Sequence, residues 1–125
     1  MTRTQQYDTH WRPPRLQFAR TTPAVLRVEN GQRVRGTMQV ISQTGGLLCL
    51  PSPLHRGARV KLMCLTDAGA LLGTAEMLPS VSATQQPFRF VSMNEDDQRR
   101  LRDLIQVSLE INRAEQQAIV KDRSW

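Results

Sequence analysis

Arginine side chains dominate the chemistry available at the start of this chain. Residues 1–35 hold seven arginines against one aspartate and one glutamate, a net charge of +5. A guanidinium group presents a planar array of N–H donors that pairs with phosphate and stacks on flat rings. The pattern predicts recognition of an anionic ligand or partner, and the arginines nearest the first expected strand are Arg12, Arg15 and Arg20. The alternative is a solvated basic tail without a specific ligand.

A polar segment with two glycines is the second candidate group. Ser42 ends a run of alternating residues, and Gly45 and Gly46 follow it. A serine hydroxyl here can contact a ligand, although it more commonly bonds the local backbone of a turn. Glycine permits both a sharp turn and the close approach of a ligand to the backbone. We expect these two glycines to be required by turn geometry more than by a ligand.

No arrangement of residues favours catalysis or metal binding. The sequence lacks a Ser/His/Asp order and a phosphate-binding loop, and its two histidines are isolated. Cys49 and Cys64 lie fifteen residues apart in apolar segments, which predicts buried free thiols rather than zinc ligands, and leaves a disulfide open. The acidic residues 95–97 are explained by helix capping. We therefore expect no enzyme activity and no cofactor.

Alternating apolar and polar residues predict several short strands. An Asn30-Gly31 pair between two such runs is a strong hairpin signal. In the second run, alternate residues from Val34 to Val40 are expected on one face. Gly45-Gly46 is expected to break the run, and residues 79–86 to form a polar loop. The expected strands are 21–29, 32–42, 47–50, 59–65, 70–78 and 88–91.

The C-terminal part has a different periodicity. Residues Ser92 to Glu95 fit a capping box, and leucine and isoleucine then recur at helical spacing. A helix from about Glu95 to about Val120 is predicted. Its apolar stripe thins beyond Glu110, so its last turns are left for solvent or for a partner.

These elements predict a mainly β fold, a small antiparallel β-barrel of about six strands with a long C-terminal α-helix. Residues 1–20 are interpreted as a flexible Arg-rich arm without regular structure, because Pro13-Pro14 interrupts them. Residues 21–93 form the barrel and 94–121 the helix. At 125 residues, with 39% hydrophobic and 22% charged residues, the chain is expected to be one globular domain. No signal peptide or membrane-spanning segment is evident, which predicts a cytoplasmic protein.

The ordered set of these segments resembles the PilZ domain family over roughly residues 12–106. The resemblance rests on an Arg-rich segment before the first strand, on Ser42-Gln43-Thr44-Gly45-Gly46, and on the segment 57–62. It rests also on Phe88-Arg89-Phe90-Val91 leading into the helix at Glu95. The resemblance implies a bacterial receptor or adaptor that binds the second messenger cyclic di-GMP on the outside of the barrel.

Family motifs assign roles to particular residues of this chain. The Arg-x-x-x-Arg motif implies that Arg12, Arg15 and Arg20 bind the ligand, and the Asp/Asn-x-Ser-x-x-Gly motif implies the same for Ser42, Gly45 and Gly46. Two departures occur: no arginines in the arm are four apart, and Val40 stands at the Asp/Asn position. A protein partner is expected to contact the barrel surface or the C-terminal helix.

Two further hypotheses remain beside the receptor. The departures at Val40 and in the arginine spacing favour a degenerate PilZ domain that acts only through protein–protein contact. The basic N-terminal segment also suits a nucleic-acid-binding barrel. Only 5% of the residues are aromatic, so few side chains are available to stack on bases, and nucleic acid is the less favoured partner.

Overall fold

A computed structural model describes the chain over residues 14–18 and 21–123, with side chains placed as far as residue 111. Seven strands and one helix lie in this part of the chain. They are β1 (Arg15–Gln17), β2 (Pro23–Arg27), β3 (Arg33–Ser42), β4 (Gly45–Cys49), β5 (Arg59–Thr66), β6 (Gly69–Met77), β7 (Gln85–Ser92) and α1 (Glu95–Arg123).

Six of the strands close into an antiparallel barrel. The hydrogen-bonded order is β3-β2-β5-β6-β7-β4, and β4 pairs again with β3 to complete the ring. The short strand β1 is an addition: it pairs with the end of β3, beyond the part of β3 that pairs with β2. The predicted fold class, a small barrel of about six strands with a C-terminal helix, is confirmed.

The barrel interior is filled mainly by aliphatic side chains, and α1 contributes to the same core. Leu101 and Ile105 of the helix are buried, four residues apart, as the helical periodicity predicts. They join side chains from the barrel strands, among them Leu26, Met38, Ile41, Leu48, Leu62, Leu71, Met77 and Phe88. This packing fixes α1 against the barrel and leaves its other face outward. In the described part of α1, no stretch is apolar and long enough to span a membrane.

Local sequence signals located most of the strands, including the first hairpin, but missed two features of the sheet. Asn30-Gly31 forms the β2–β3 hairpin, with Gly31 at a φ of 88°. Residues Gly45 and Gly46 belong to β4 rather than to a break. Strand β7 begins at Gln85, inside the predicted loop, because the buried side chain of Gln86 bonds the backbone of Leu54 and Leu78.

The expectation that residues 1–20 form no regular element is wrong for Arg15–Gln17. These residues pair with β3, and the N–H of Phe18 continues the pairing by donating to the Gln39 carbonyl oxygen at 3.0 Å. The proline pair precedes the strand and does not interrupt it. Side chains from this segment also reach the core, since Leu16 and Phe18 pack against it.

A bulge in β3 changes which residues face inward. The pairing with β4 shifts register between Met38 and Val40, so that one extra residue lies on β3. The predicted alternation holds as far as Met38, which is buried, but Ile41 rather than Val40 is buried after the bulge. The prediction that Val40 lies on the core face is therefore wrong. Val40 shares the outer face with Ser42, two residues further along the strand.

The helix begins at Glu95, and its N-cap is Asn94 rather than the predicted Ser92. The Asn94 Oδ1 atom accepts a hydrogen bond from the N–H of Asp97 at 2.8 Å. Asp97 itself has a further role, because its carboxylate accepts hydrogen bonds from the Leu72 N–H (3.2 Å) and from Arg100 (3.4 Å). Only 4% of Asp97 is exposed. The carboxylate therefore fastens the start of the helix to β6, which capping alone does not explain.

Replacing Asp97 with alanine is expected to lower the free energy of unfolding by about 2 kcal/mol, because the partly buried Leu72 N–H and Arg100 both lose their bond to the buried carboxylate. The matched control is Asp96→Ala, which removes the same charge from the same helical turn. Asp96 is 83% exposed in its side chain and lies 3.8 Å from Arg99, so we expect a loss below about 0.5 kcal/mol. Urea unfolding followed by circular dichroism measures both values, and equal losses would contradict the fastening role.

Both cysteines are free thiols in the structure: Cys64 is buried, whereas Cys49 is partly exposed. Burial raises the pKa of the Cys64 thiol to about 11. The thiol therefore stays protonated through the neutral range, and its nucleophilic thiolate forms only in strongly alkaline solution. The expectation of buried thiols is confirmed for Cys64 and only in part for Cys49.

Alkylation with iodoacetamide at pH 8 is expected to modify Cys49 in the folded protein and to leave Cys64 unmodified. At that pH roughly one Cys64 side chain in a thousand carries the thiolate, and its burial also blocks the reagent. Mass spectrometry of digested protein assigns the modified residue. Denatured protein, in which both thiols are accessible, is the control. Equal modification of the two cysteines in folded protein would contradict this assignment.

Candidate functional site

The turn between β3 and β4 is organised by one hydroxyl group. Ser42 Oγ accepts hydrogen bonds from the N–H groups of Thr44 and Gly45, both at 3.3 Å, and donates to the Gly45 carbonyl oxygen at 3.2 Å. It also lies 3.2 Å from Thr44 Oγ1. Ser42 is only 7% exposed. In this structure the hydroxyl therefore acts as a turn-former, and its hydrogen-bonding capacity is used locally.

Gly45 and Gly46 are required by close backbone contacts rather than by turn conformation. Neither has a positive φ. A Cβ atom on Gly45 would lie 2.1 Å from the Phe88 carbonyl oxygen, and one on Gly46 would lie 2.2 Å from the Val40 carbonyl oxygen. The expectation that turn geometry demands these glycines is wrong. They allow β4 to fit between β7 and β3, which closes the barrel beneath the turn.

Arg15 is brought to this turn by the pairing of β1 with β3. Its Cα lies opposite that of Ser42 in the antiparallel register. Opposite residues of an antiparallel pair lie on the same face of the sheet, and the Arg15 side chain is exposed. Within the described residues it forms no ion pair. Arg15 thus supplies an uncompensated positive charge beside Ser42.

A shallow cavity of about 290 Å³ opens at this place on the outer wall. We call it the turn cavity. It is lined by Arg15, Ser42, Thr44, Gly45, Gly46, Leu78, Phe88 and Arg89. Four of the six residues that the sequence proposed for a ligand site are therefore brought together here. The other two, Arg12 and Arg20, lie outside the described residues.

Arg89 is a second cation of the turn cavity that the sequence reasoning did not select. It lies opposite Gly45 in the β4–β7 pairing. Its guanidinium bonds the carboxylate of Glu76, which lies opposite it on β6. In the sequence, Arg89 contributed only to the family resemblance, as part of Phe88-Arg89-Phe90-Val91. Its position beside Gly45 depends on the pairing of β4 with β7, which no local signal predicts.

Val40 lies next to the turn cavity, at the edge of a second shallow cavity of about 410 Å³. Gln17 lies opposite Val40 on β1. Gln39 and Gln85 also line this second cavity, and their side chains are bonded to each other at 3.0 Å. The Gln17 side chain has no hydrogen-bond partner in the described part of the chain. A carboxamide group that no other described residue bonds therefore lies opposite the apolar Val40.

The three described arginines of β2 and β3 do not line the turn cavity. Arg27, Arg33 and Arg35 lie on the outer face of β2 and β3, along a separate groove. Among residues 14–18 and 21–111 there is also no cluster of three or more His, Cys, Asp or Glu side chains placed to hold a metal ion. Among the described residues, the turn cavity is thus lined by glycine backbone, by the guanidinium of Arg15, which forms no ion pair, and by that of Arg89, which is paired with Glu76.

This fold and site define a class: a small closed barrel with an added N-terminal strand that carries an arginine to a Ser–Gly turn. A family model of the PilZ domain matches residues 9–107. The chain belongs to the PilZ domain family. Comparison with curated proteins gave no match.

Solved structures confirm the fold. YcgR from Escherichia coli, in complex with c-di-GMP, is similar with a TM-score of 0.71 and 19% identity over 89% of this chain and 50% of that chain. The MrkH–c-di-GMP complex of K. pneumonia has a TM-score of 0.71 and 22% identity over 84% of this chain and 54% of that chain. The isolated PilZ domain of YcgR, with c-di-GMP, has a TM-score of 0.69 and 15% identity over 86% of this chain and 98% of that domain. The chain thus spans about half the length of YcgR and MrkH but nearly all of a PilZ domain.

Proposed function

We propose that this chain is a non-enzymatic receptor that binds cyclic di-GMP on the outer wall of the barrel, over the turn cavity. The observation that carries the proposal is the position of Arg15, opposite Ser42 and beside Gly45 and Gly46. A free guanidinium at this place supplies a planar, charged donor for a phosphate of the ligand. Membership of the PilZ family, and the c-di-GMP complexes among the similar structures, support the same ligand.

Arg12 and Arg20 are proposed to complete the cationic contacts. Three residues of extended chain span at most about 10 Å, so Arg12 is within reach of a dinucleotide held at Arg15. Arg20 comes directly before Thr21 in the sequence, and Phe18 and Thr21 both line the second shallow cavity. Guanidinium groups on both sides of the ligand would pair with its phosphates and stack on its guanine rings. Binding would then order the N-terminal segment over the barrel, and this change would be passed to a protein partner.

Ser42, Gly45 and Gly46 are proposed to act through the shape of the turn. The Ser42 hydroxyl already holds the backbone of Thr44 and Gly45, so it positions that backbone for the ligand. The glycines keep the surface low enough for a flat base to approach. The hydrogen bond that Val40 cannot make is assigned to the Gln17 carboxamide beside it. Gln17 thus replaces, from the neighbouring strand, the polar group that the family motif places at position 40.

Isothermal titration calorimetry with purified protein and cyclic di-GMP tests the proposal. We expect one saturable binding event with a negative heat, since charged hydrogen bonds dominate the contact. GMP at the same concentration is the control, because a single nucleotide offers only one base and one phosphate and should bind far more weakly. No heat of binding up to millimolar cyclic di-GMP would refute the receptor function.

A second function is favoured by two particular observations: Val40 offers no polar group, and the Ser42 hydroxyl is engaged in the turn. Under this alternative the domain binds no cyclic di-GMP and acts only by protein contact. Val40→Asp separates the two functions. A receptor in which Gln17 already supplies the polar group should gain less than about tenfold in affinity from the added acceptor. A degenerate domain would show no binding before the substitution, and any binding afterwards would identify position 40 as the cause of the loss.

A further inference from the structure

A second outer surface of the barrel combines an apolar floor with positive charges that form no ion pair with the described residues. The outer faces of β2, β5 and β6, together with the start of α1, enclose a groove of about 750 Å³. Val25, Met63 and Leu72 lie side by side across its floor, because Val25 pairs with Met63 and Met63 with Leu72. Met93 adds a fourth apolar side chain. This sheet groove shares no lining residue with the turn cavity.

Four cations line the sheet groove: Arg27, Arg33, Arg35 and Lys61. Arg27 lies directly opposite Arg33 on one side and opposite Lys61 on the other. Like charges directly opposite each other on a sheet are destabilising. None of the four forms an ion pair with any residue from 14–18 or 21–111. An acidic occupant would remove this repulsion.

The side chains on the floor of the groove indicate which kind of partner can bind there. Leu72 is 51% exposed, which is unusual for a leucine in the middle of a strand. Methionine side chains such as Met63 and Met93 adapt to irregular apolar partners. The groove lining contains no aromatic side chain on which a nucleic acid base could stack. The chemistry therefore fits a segment that carries apolar and acidic side chains on one face.

Between Asp103 and Ile111, the outward face of α1 has this composition. Val107 and Ile111 are each 52% exposed, although both are large and apolar. Asp103 and Glu110 share their face, since residues at spacings of four, seven and eight fall on one side of a helix. Val107 and Ile111 are thus exposed on the same helix whose Leu101 and Ile105 are buried in the core. Because that packing fixes the helix, its outward face cannot reach the groove of its own chain.

We propose that the sheet groove is a self-association surface, occupied by helix α1 of a second copy of this chain. Val107 and Ile111 of one copy cover the apolar floor of the other, and Asp103 and Glu110 lie against the row of cations. A reciprocal exchange of the two helices gives a closed dimer with twofold symmetry. The association neither requires cyclic di-GMP nor involves the turn cavity, so its test is independent of the receptor function.

Sedimentation velocity over about a hundredfold range of protein concentration tests the proposal. The wild type is expected to shift from monomer to dimer as concentration rises. A groove variant, Arg27→Glu with Arg33→Glu, should associate at least about a hundredfold more weakly, because its acids would face Asp103 and Glu110. A helix variant, Asp103→Lys with Glu110→Lys, should lose association in the same way.

Mixing the two variants supplies the decisive measurement. The altered groove of one copy and the altered helix of the other again have opposite charges, while the two remaining surfaces are native. An equimolar mixture is therefore expected to form dimers although each variant alone is monomeric. Arg56→Glu with Arg59→Glu makes the same change of net charge on exposed residues outside the groove lining. This control should dimerise at nearly the wild-type concentration.

Two further variants test dimerisation even if the charge variants fail to fold. Val107→Ser and Ile111→Ser alter side chains that are already exposed, so the fold should be retained in circular dichroism while dimerisation is lost. A wild type that stays monomeric at the highest concentration overturns the proposal. So does a mixture that stays monomeric, or a control that loses dimerisation as strongly as the groove variant. A partner other than a second copy would appear as a monomeric wild type.

Discussion

Arg15→Ala is expected to weaken the binding of cyclic di-GMP by about ten- to hundredfold. Arg15 supplies the one guanidinium of the turn cavity that is free of an ion pair among the described residues, since Arg89 bonds Glu76. Hydrogen bonds to charged groups contribute roughly 1.5–3 kcal/mol each, and each 1.4 kcal/mol is a factor of ten in affinity. Because Arg15 is exposed and lies on a short strand, its loss should leave the barrel folded.

The matched control for this result is Arg33→Ala. It removes the same charge from the same pair of neighbouring strands, but Arg33 lines the sheet groove and not the turn cavity. Calorimetric titration of both variants separates a contact at the turn from a general attraction of an anion to a basic protein. We expect Arg33→Ala to change the affinity by less than about threefold at physiological salt. Equal losses in the two variants would place the ligand elsewhere, and a larger loss for Arg33 would indicate the sheet groove.

Gly45→Ala is expected to lower the free energy of unfolding by about 3 kcal/mol, a substantial fraction of the stability of a small domain. The added Cβ would lie 2.1 Å from the Phe88 carbonyl oxygen and 2.9 Å from the Cα of Arg89. Both neighbours are backbone atoms of β7, so they cannot move aside as a flexible side chain does. Strands β4 and β7 would have to separate at the place where the barrel closes.

Gly73→Ala is the control for this stability change. Gly73 also lies within a strand, and its added Cβ would meet the Met93 Cε atom at 3.1 Å and the Phe90 ring at 3.3 Å. The end of a methionine side chain moves at little cost, so we expect a loss below about 1 kcal/mol. Denaturant unfolding followed by fluorescence or circular dichroism gives both values. If Gly45→Ala unfolded like the wild type but bound no ligand, the glycine would serve the ligand rather than barrel closure.

The Ser–Gly turn of the family motif has a structural role in this chain. In this structure the Ser–Gly turn is held together by Ser42 and fitted under β7 by Gly45, with no ligand needed to explain either residue. A PilZ domain that had lost its ligand would therefore be expected to keep both. Their presence alone is weak support for binding. Arg15 is the informative residue, because its exposed charge has no partner among the described residues.

The sequence by itself determined the elements that depend on local geometry. A period of two residues predicts strands and a period of 3.6 predicts a helix, since each follows from the backbone conformation of neighbouring residues. Residues 32–38, the Asn30-Gly31 hairpin and the helix from Glu95 were therefore located correctly. The order of these elements carried the family resemblance. Through it, Arg15 and Ser42 were assigned to one ligand site, although the pairing of β1 that brings them together was not predicted.

Tertiary structure alone decided how distant segments meet. The bulge that turns Val40 outward arises because β3 pairs with β4 in two registers. Strand β7 extends to Gln85 because Gln86 finds backbone partners at Leu54 and Leu78. Asp97 is an anchor for β6 as well as an acid at a helix terminus. Each of these depends on a partner far along the chain, which no window of neighbouring residues contains.

The two candidate surfaces, the turn cavity and the sheet groove, also depend on pairing between strands that are distant in the sequence. Arg89 reaches the turn cavity only because β4 pairs with β7. Arg27 and Lys61 form one row of charge only because β2 pairs with β5. Composition indicated an excess of positive charge. Among the described residues, closure of the barrel placed Arg15 at one site and four other cations along a separate groove. Barrel closure is a property of all six strands together, which is why the separation of the two surfaces could not be predicted from the sequence.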